Sequence, residues 1–243
     1  MQLRGQRALV TGGAIRIGKS IALALAGQGC HISLHYRRSK AEALKTAAAV
    51  RALGVRCSLH PADLSRSPAV LRLGKQALKD GCTLLVNNAS IFPRVALENA
   101  GPADFDLPYA VNLRAPALLT QVLGTAWLKA GTPSRIVNIA DVGGRLAWPG
   151  YLPYSISKAG LLQLTRASAA ALAPTVLVNS ISPGPMLLPD KPTAAQKRSS
   201  LSRSLLKRLG GAEEVARAVV FALQSDFMTG SDVKVDGGRE LAG

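Results

Sequence analysis

Residues 7–18 read RALVTGGAIRIG, a short apolar run that breaks into a turn with glycines at 12, 13 and 18. Arg7–Val10 has the length of a strand, and Ile15–Gln28 behind the turn has the length and period of a helix. Glycines placed between a strand and a helix let the chain turn tightly. They also bring backbone N–H groups and the helix N-terminus up to an anionic group. Thr11, Gly12, Arg16, Ile17 and Gly18 are therefore read as a cradle for a pyrophosphate. An ordinary strand-to-helix turn is the bland alternative, and the rest of the chain decides between them.

Outward from this turn, short apolar runs alternate with longer amphipathic ones to the end of the chain. Further strands are expected at His31–His35, Arg56–His60, Thr83–Asn87, Arg135–Ala140, Val176–Ser182 and Asp232–Val235. Glu213–Gln224 is expected to be helical, with Val215, Val219 and Ala222 on one face and Val220 and Leu223 widening it. Seven strands separated by helices predict an α/β fold, a doubly wound parallel sheet of Rossmann type in which residues 1–243 form a single domain. Right-handed crossovers put the strand C-termini on one edge, where ligands bind. The long irregular stretch is 183–192, followed by a short basic helix, so residues 183–206 are expected to act as a substrate lid.

Bulk properties narrow the function. The 243 residues are 48% hydrophobic, enough for a substantial core, and no apolar stretch approaches the roughly 18 residues of a spanning helix. The start lacks the apolar core of a secretory signal, so a soluble, cytoplasmic protein without a membrane partner is expected. Cys30, Cys57 and Cys82 are scattered and show no CxxC spacing; His31 and His35, two residues on one strand, make a poor metal site, so no metal is expected. The net charge of +16 is dispersed, as in KRSSLSRSLLKR (197–208), and is not interleaved with aromatics. It reads as a basic solvated surface, and no nucleic-acid partner is expected.

The second strand decides the cofactor. An NAD site carries an acidic residue about 20 positions past the turn, on the ribose 2′-hydroxyl. Here the region reads HYRRS (35–39), where Tyr36 leads into Arg37, Arg38 and Ser39 with no Asp or Glu. Two guanidinium groups and a hydroxyl bind a 2′-phosphate through charge-assisted hydrogen bonds, so NADPH is the expected cofactor. Asp63 and Leu64, in PADLS, follow the third strand where a carboxylate accepts the adenine amino group. Asn87, Asn88 and Ala89 end the fourth strand along the cofactor's path.

Tyr154 and Lys158 lie four residues apart in YSISK, which puts both on one face at the start of a helix. An ammonium beside a phenol lowers the phenol's pKa, and a tuned tyrosine exchanges a proton as hydride moves to or from a nicotinamide.

TGGAIRIG, NNAS, Asn112, YSISK, VNSISPGPM (178–186) and the terminal VDGG together resemble the short-chain dehydrogenases/reductases over essentially the full length. The resemblance makes Tyr154 the catalytic acid/base, Lys158 its activator and a ribose anchor, and Asn112 part of a proton relay. It places Pro183, Gly184 and Met186 along the cofactor. It also implies a homotetramer or homodimer packed through the helices that contain Asn112 and Tyr154, with the homotetramer expected.

Two departures narrow the match. The family turn is TGxxxGxG, and its middle glycine is Arg16 here; the catalytic serine, 13 residues before the tyrosine, is Asp141. With HYRRS and NNASIF, both replacements resemble the pteridine reductase branch, which includes bacterial dihydromonapterin reductases. The chemistry agrees. A carboxylate about 4 Å from a developing alkoxide, at an effective dielectric of about 20, costs roughly 4 kcal/mol, or about a thousandfold in rate. Reduction of a ring C=N puts the proton on nitrogen instead, where Asp141 works with Tyr154. The same resemblance stacks Phe92 on a pterin, bonds Ser90 to the pterin or the cofactor phosphate, and sends Arg16 to the pyrophosphate and the substrate edge. Pro185 lines the substrate.

The expected function is NADPH-dependent reduction of a dihydropterin, or of an oxidised pterin or folate. A folate's glutamate tail would find Lys191, Lys197, Arg198 and Arg203, which equally read as solvated helix charges. A carbonyl reductase with a protonated Asp141 is the second reading. A weak nucleotide-binding protein acting on nucleic acid is the third, and the intact Tyr154/Lys158 pair argues against it.

Overall fold

Seven strands pair in parallel in the order β3-β2-β1-β4-β5-β6-β7. They are β1 (Arg7–Val10), β2 (His31–Tyr36), β3 (Cys57–Pro61), β4 (Leu84–Asn87), β5 (Ser134–Ile139), β6 (Val176–Pro183) and β7 (Asp232–Val235). The computed structural model describes residues 1–188, 193–202 and 204–242. Every expected strand forms, each within two residues of its expected bounds. The order reverses between β1 and β4, which opens a crevice at their C-terminal ends.

The helices are α1 (Arg16–Gly27), α2 (Lys40–Ala52), α3 (Ser67–Lys79), α4 (Pro102–Pro108), α5 (Ala115–Lys129), α6 (Leu152–Leu172), α7 (Ala194–Ser202) and α8 (Ala212–Gln224). Their buried positions recur at helical spacing, as in Ile21, Ala22, Leu25 and Ala26 of α1. On α8 Val215, Val219 and Ala222 are buried as expected, joined by Leu223, while Val220 packs at the cluster's margin. Residues of α1, α2 and α8 cover one face of the sheet, and those of α3, α5 and α6 cover the other.

β4 and β5 are buried at every position, as parallel strands covered on both faces must be. The outer strands differ. Ile32, Leu34 and Tyr36 join the α1/α2 core, while Ser33 and His35 between them face the other way. Between α4 and α5 the chain makes a π-helical stretch, Tyr109–Arg114, that carries Asn112. The expected lid begins where β6 ends at Pro183 and includes α7; Lys191, Arg203 and the side chain of Lys197 lie outside the described residues. Among the described residues no helix is long and apolar enough to cross a membrane, and no His, Cys, Asp and Glu group could hold a metal ion.

Candidate active site

The turn after β1 is held by side chains bonded to backbone. The Thr11 hydroxyl oxygen accepts from Asn88 N (2.9 Å) and Ala89 N (3.0 Å), and Asn88 Nδ2 donates to Thr11 O (2.9 Å) and Gly12 O (3.2 Å). Gly12 sits at φ +64°, and a Cβ on Gly18 would come 2.1 Å from Gly12 O, so glycine is required at both. Arg16 adopts φ +53°, the left-handed conformation that suits the glycine of the family pattern. Its guanidinium donates to Leu188 O at 3.2 Å, which ties the turn to the segment after β6. Ile17 packs against the core. α1 starts with no side-chain cap and no acidic residue in its first turn, so its N–H groups and positive dipole end can receive an anion.

His35 braces this turn from beneath. Its Nδ1 accepts from Gly12 N at 3.1 Å, so Nε2 carries the proton and donates to Ala62 O at 3.1 Å. Burial drives its pKa down to about 4, which keeps the ring neutral. The sequence reading weighed His35 only as a metal ligand; its inward position in HISLHY, opposite the apolar alternation, is the signal that marks it.

At the end of β2, Tyr36 is buried, Arg37 and Arg38 are exposed, and Ser39 precedes α2 without capping it. Arg37 pairs with Asp63 Oδ2 at 3.2 Å, and Asp63 Oδ1 accepts from Ser65 N (3.0 Å) and Ser65 Oγ (2.8 Å). Burial pushes the Asp63 carboxyl up, but the Ser65 bonds and the Arg37 charge outweigh it, leaving it below the usual range. Both expected cofactor groups are thus engaged with each other, and Arg38 is the guanidinium left without a partner among the described residues. Leu64 packs into the α3/α5 core, so only its backbone can face a ligand. Asn87 turns inward as well, donating to Asn138 Oδ1 at 2.8 Å, while Asn88 and Ala89 lie against Gly12.

The residues expected to be catalytic converge at the N-terminus of α6. Tyr154 Oη donates to Asp141 Oδ2 at 2.7 Å, and the other carboxylate oxygen accepts from Gly143 N at 2.6 Å. Lys158 Nζ donates to Ile139 O at 2.8 Å and lies 5.8 Å from the centre of the Tyr154 ring. The expectation that Lys158 lowers the phenol's pKa is overturned: burial and the Asp141 carboxylate push it well above its ordinary value. Burial also raises Asp141 and lowers Lys158 to about 8. The result is a buried hydroxyl–carboxylate pair that retains its proton, with an ammonium beneath it.

Asn112 braces the approach. Its Oδ1 accepts from Ile91 N (2.9 Å) and Ser90 Oγ (3.2 Å), and its Nδ2 donates to Ile91 O and Ser157 Oγ, both at 3.0 Å. Its side chain positions Ser90 and does not reach Lys158. Phe92, 54% exposed, lies parallel to Tyr151 (4.4 Å, 9°) and edge-on to Tyr154 (4.5 Å, 78°). Trp148 closes the ring cluster at 6.4 Å from Phe92. Tyr151 and Trp148 are not marked in the sequence as site residues; Tyr151 is the non-helical N-cap of α6, so no helical spacing ties it to Tyr154. At the end of β6 Pro183 is buried, and Gly184 and Pro185 beyond it are half-buried. The side chain of Met186 packs into the α1/α8 core.

An uncapped helix N-terminus that can receive an anion, a buried Tyr154–Asp141 pair and the exposed Phe92 ring against Tyr154 make up the site. Residues 13–240 match the family model described as Enoyl-(Acyl carrier protein) reductase. A Nodulation protein G of Rhizobium sp. (strain N33) is 36% identical over 247 residues, covering 99% of each chain. Pteridine reductase 1 of Leishmania tarentolae is 34% identical over 278 residues, covering 96% of each. Among solved structures, a blue fluorescent protein from a metagenomic library in complex with NADPH superposes with a TM-score of 0.90 at 29% identity, over 98% of this chain and 99% of that one.

Proposed function

The chain belongs to the short-chain dehydrogenase/reductase family, and from that premise we propose that it is an NADPH-dependent pteridine reductase acting on a ring C=N bond of a dihydropterin, or of an oxidised pterin or folate. The observation that carries this reading is the 2.7 Å bond from Tyr154 Oη to Asp141 Oδ2. A carboxylate there opposes the negative oxygen that forms when a ketone is reduced, whereas a substrate nitrogen accepts a proton and leaves no such charge. The likeness to Pteridine reductase 1 supports the same branch.

NADPH supplies the hydride to the substrate carbon when it is bound. Thr11, Gly12 and Gly18 shape the pyrophosphate cradle, and Arg38 is the guanidinium free to take the 2′-phosphate. Tyr154 gives its proton to the substrate nitrogen, and the Asp141 carboxylate, which accepts from Tyr154 Oη, orients that hydroxyl and keeps its proton in place until transfer. Lys158, at about 8, remains largely protonated at neutral pH and balances the charge that passes through the pair. Phe92 offers its exposed ring as the stacking surface, backed by Tyr151. Exposed Tyr109 and Ile156, on the segments that carry Asn112 and Tyr154, support a homotetramer built through them.

The test is NADPH oxidation with dihydrobiopterin, set against NADH and a panel of simple ketones. Turnover of the pterin, preference for NADPH and loss of that turnover in Asp141→Ala are expected. Turnover of ketones alone, surviving Asp141→Ala, would overturn the pterin reading and leave a carbonyl reductase.

A further inference from the structure

The two outermost strands present a polar floor where a doubly wound sheet is ordinarily apolar on both faces. Ser33 and His35 on β2 pair in register with Ser58 and His60 on β3, so all four side chains share the face that α3 only partly covers. At the middle of this floor lies Asp80. Its Oδ2 accepts from Ser33 Oγ (2.8 Å) and Ser58 Oγ (3.0 Å) and meets His60 Nε2 at 2.9 Å; its Oδ1 accepts from Gln76 Nε2 at 2.9 Å. The carboxylate's hydrogen-bonding capacity is filled. The bond at Nε2 also fixes the His60 ring and leaves its Nδ1 without a partner among the described residues.

Above the floor, between β3 and α3, is a groove of about 560 Å³, within the size range of small-molecule sites. His60 lines one wall, and Arg66 and Arg72 line the other. Neither guanidinium has an ion-pair partner among the described residues. The acid that lines the groove, Asp63, is already answered by Arg37 and Ser65. Each negative charge at the groove is therefore balanced from within the fold, while two positive charges and an imidazole edge are left facing a concavity. Such an arrangement attracts an anion. Two planar guanidinium forks, on α3 and its N-cap, suit the several oxygens of a phosphate better than a flat carboxylate. The open His60 Nδ1 on β3, an acceptor in the neutral ring while Nε2 donates to Asp80, can take the hydroxyl of a hydrogen phosphate.

We propose that the groove between β3 and α3 is a second anion site, separate from the nucleotide turn, that takes a phosphate group on Arg66, Arg72 and the open edge of His60. The phosphate is either free or borne by a small metabolite, and the groove's volume leaves room for the remainder of such a molecule.

The chain's three histidines make the test selective. His60 reports the groove, His35 reports the nucleotide turn through Gly12, and His31 at the far end of β2 reports ionic strength alone. The imidazole nitrogens of histidine-labelled protein, saturated with NADPH, are followed by NMR as inorganic phosphate and then glycerol phosphate are added, against chloride at matched ionic strength. A saturable shift of His60 is expected, with His35 and His31 unmoved. Tighter binding of the ester would identify a phosphorylated metabolite as the ligand, and equal binding would identify phosphate itself. Removing two charge-assisted contacts, Arg66→Gln with Arg72→Gln should weaken binding at least about tenfold, whereas Arg38→Gln should leave it intact. A His60 shift that chloride reproduces, that the double variant retains, or that does not occur overturns the proposal.

Discussion

The nucleotide turn and the reducing centre occupy neighbouring parts of one sheet edge and are built from different materials. At the turn the close contacts all involve backbone: the Asn88 amide and the Thr11 hydroxyl bond main-chain atoms of the strand end, and Gly12 and Gly18 touch where no side-chain atom fits. Around Tyr154 the contacts that matter lie between titratable side chains, and their behaviour follows from burial. A methyl group added at Gly18 would break the first region's geometry. A single substitution at Asp141 would leave the second region's geometry largely in place and change what it does with a proton. On the proposed function, cofactor binding follows the path of the chain, and reaction type follows the side-chain electrostatics laid over it.

That contrast is open to measurement. Tyr154→Phe removes the proton donor and no backbone contact. It should lower kcat by about a thousandfold while NADPH binding, followed by fluorescence, is unchanged; a matching loss of binding would show that the two regions are not separable.

The turn has one titratable support, His35. Its folded pKa of about 4 lies below the ordinary 6.5, so the unfolded chain binds the extra proton between those values. Its contribution is therefore fully present above pH 6.5 and is lost as pH falls toward 4. Two to three pH units of difference amount to about 3 kcal/mol. Denaturant melts at neutral and acid pH should show this slope, and His35→Gln should flatten it.

Arg38→Gln should lower kcat/KM for NADPH by about ten- to a hundredfold, the worth of one charge-assisted phosphate contact, and leave NADH unaffected in parallel assays. An equal loss in Arg37→Gln would mean that the Arg37–Asp63 pair opens on binding. The smallest effect is expected at Arg16, whose left-handed backbone costs about 1 kcal/mol. Arg16→Gly should raise Tm by a few degrees in a thermal melt while weakening substrate binding.

The strands were legible because apolar runs between turn residues leave few alternatives, and β1 and β7 have the bounds their sequences suggest. YSISK was legible because a four-residue helical spacing fixes which residues share a face. What could not be read depends on partners distant in sequence. Nothing in HYRRS or PADLS reveals that Arg37 and Asp63 spend their charges on each other. The spacing of Tyr154 and Lys158 gives proximity, not direction, and the ammonium turns instead to the Ile139 carbonyl. The π-helical stretch around Asn112 is a shift in backbone hydrogen bonding that side-chain patterns do not record.

The most direct test of the central claim is to return Asp141 to the family's residue and compare the two reactions on one fold. NADPH oxidation is measured with dihydrobiopterin and with a simple ketone for the natural chain and for Asp141→Ser. If Asp141 sets the reaction, the natural chain reduces the pterin, and Asp141→Ser loses most of that rate while gaining activity on the ketone. Pterin turnover that is indifferent to Asp141→Ser, or that is absent from the natural chain while ketones are reduced, would contradict the account.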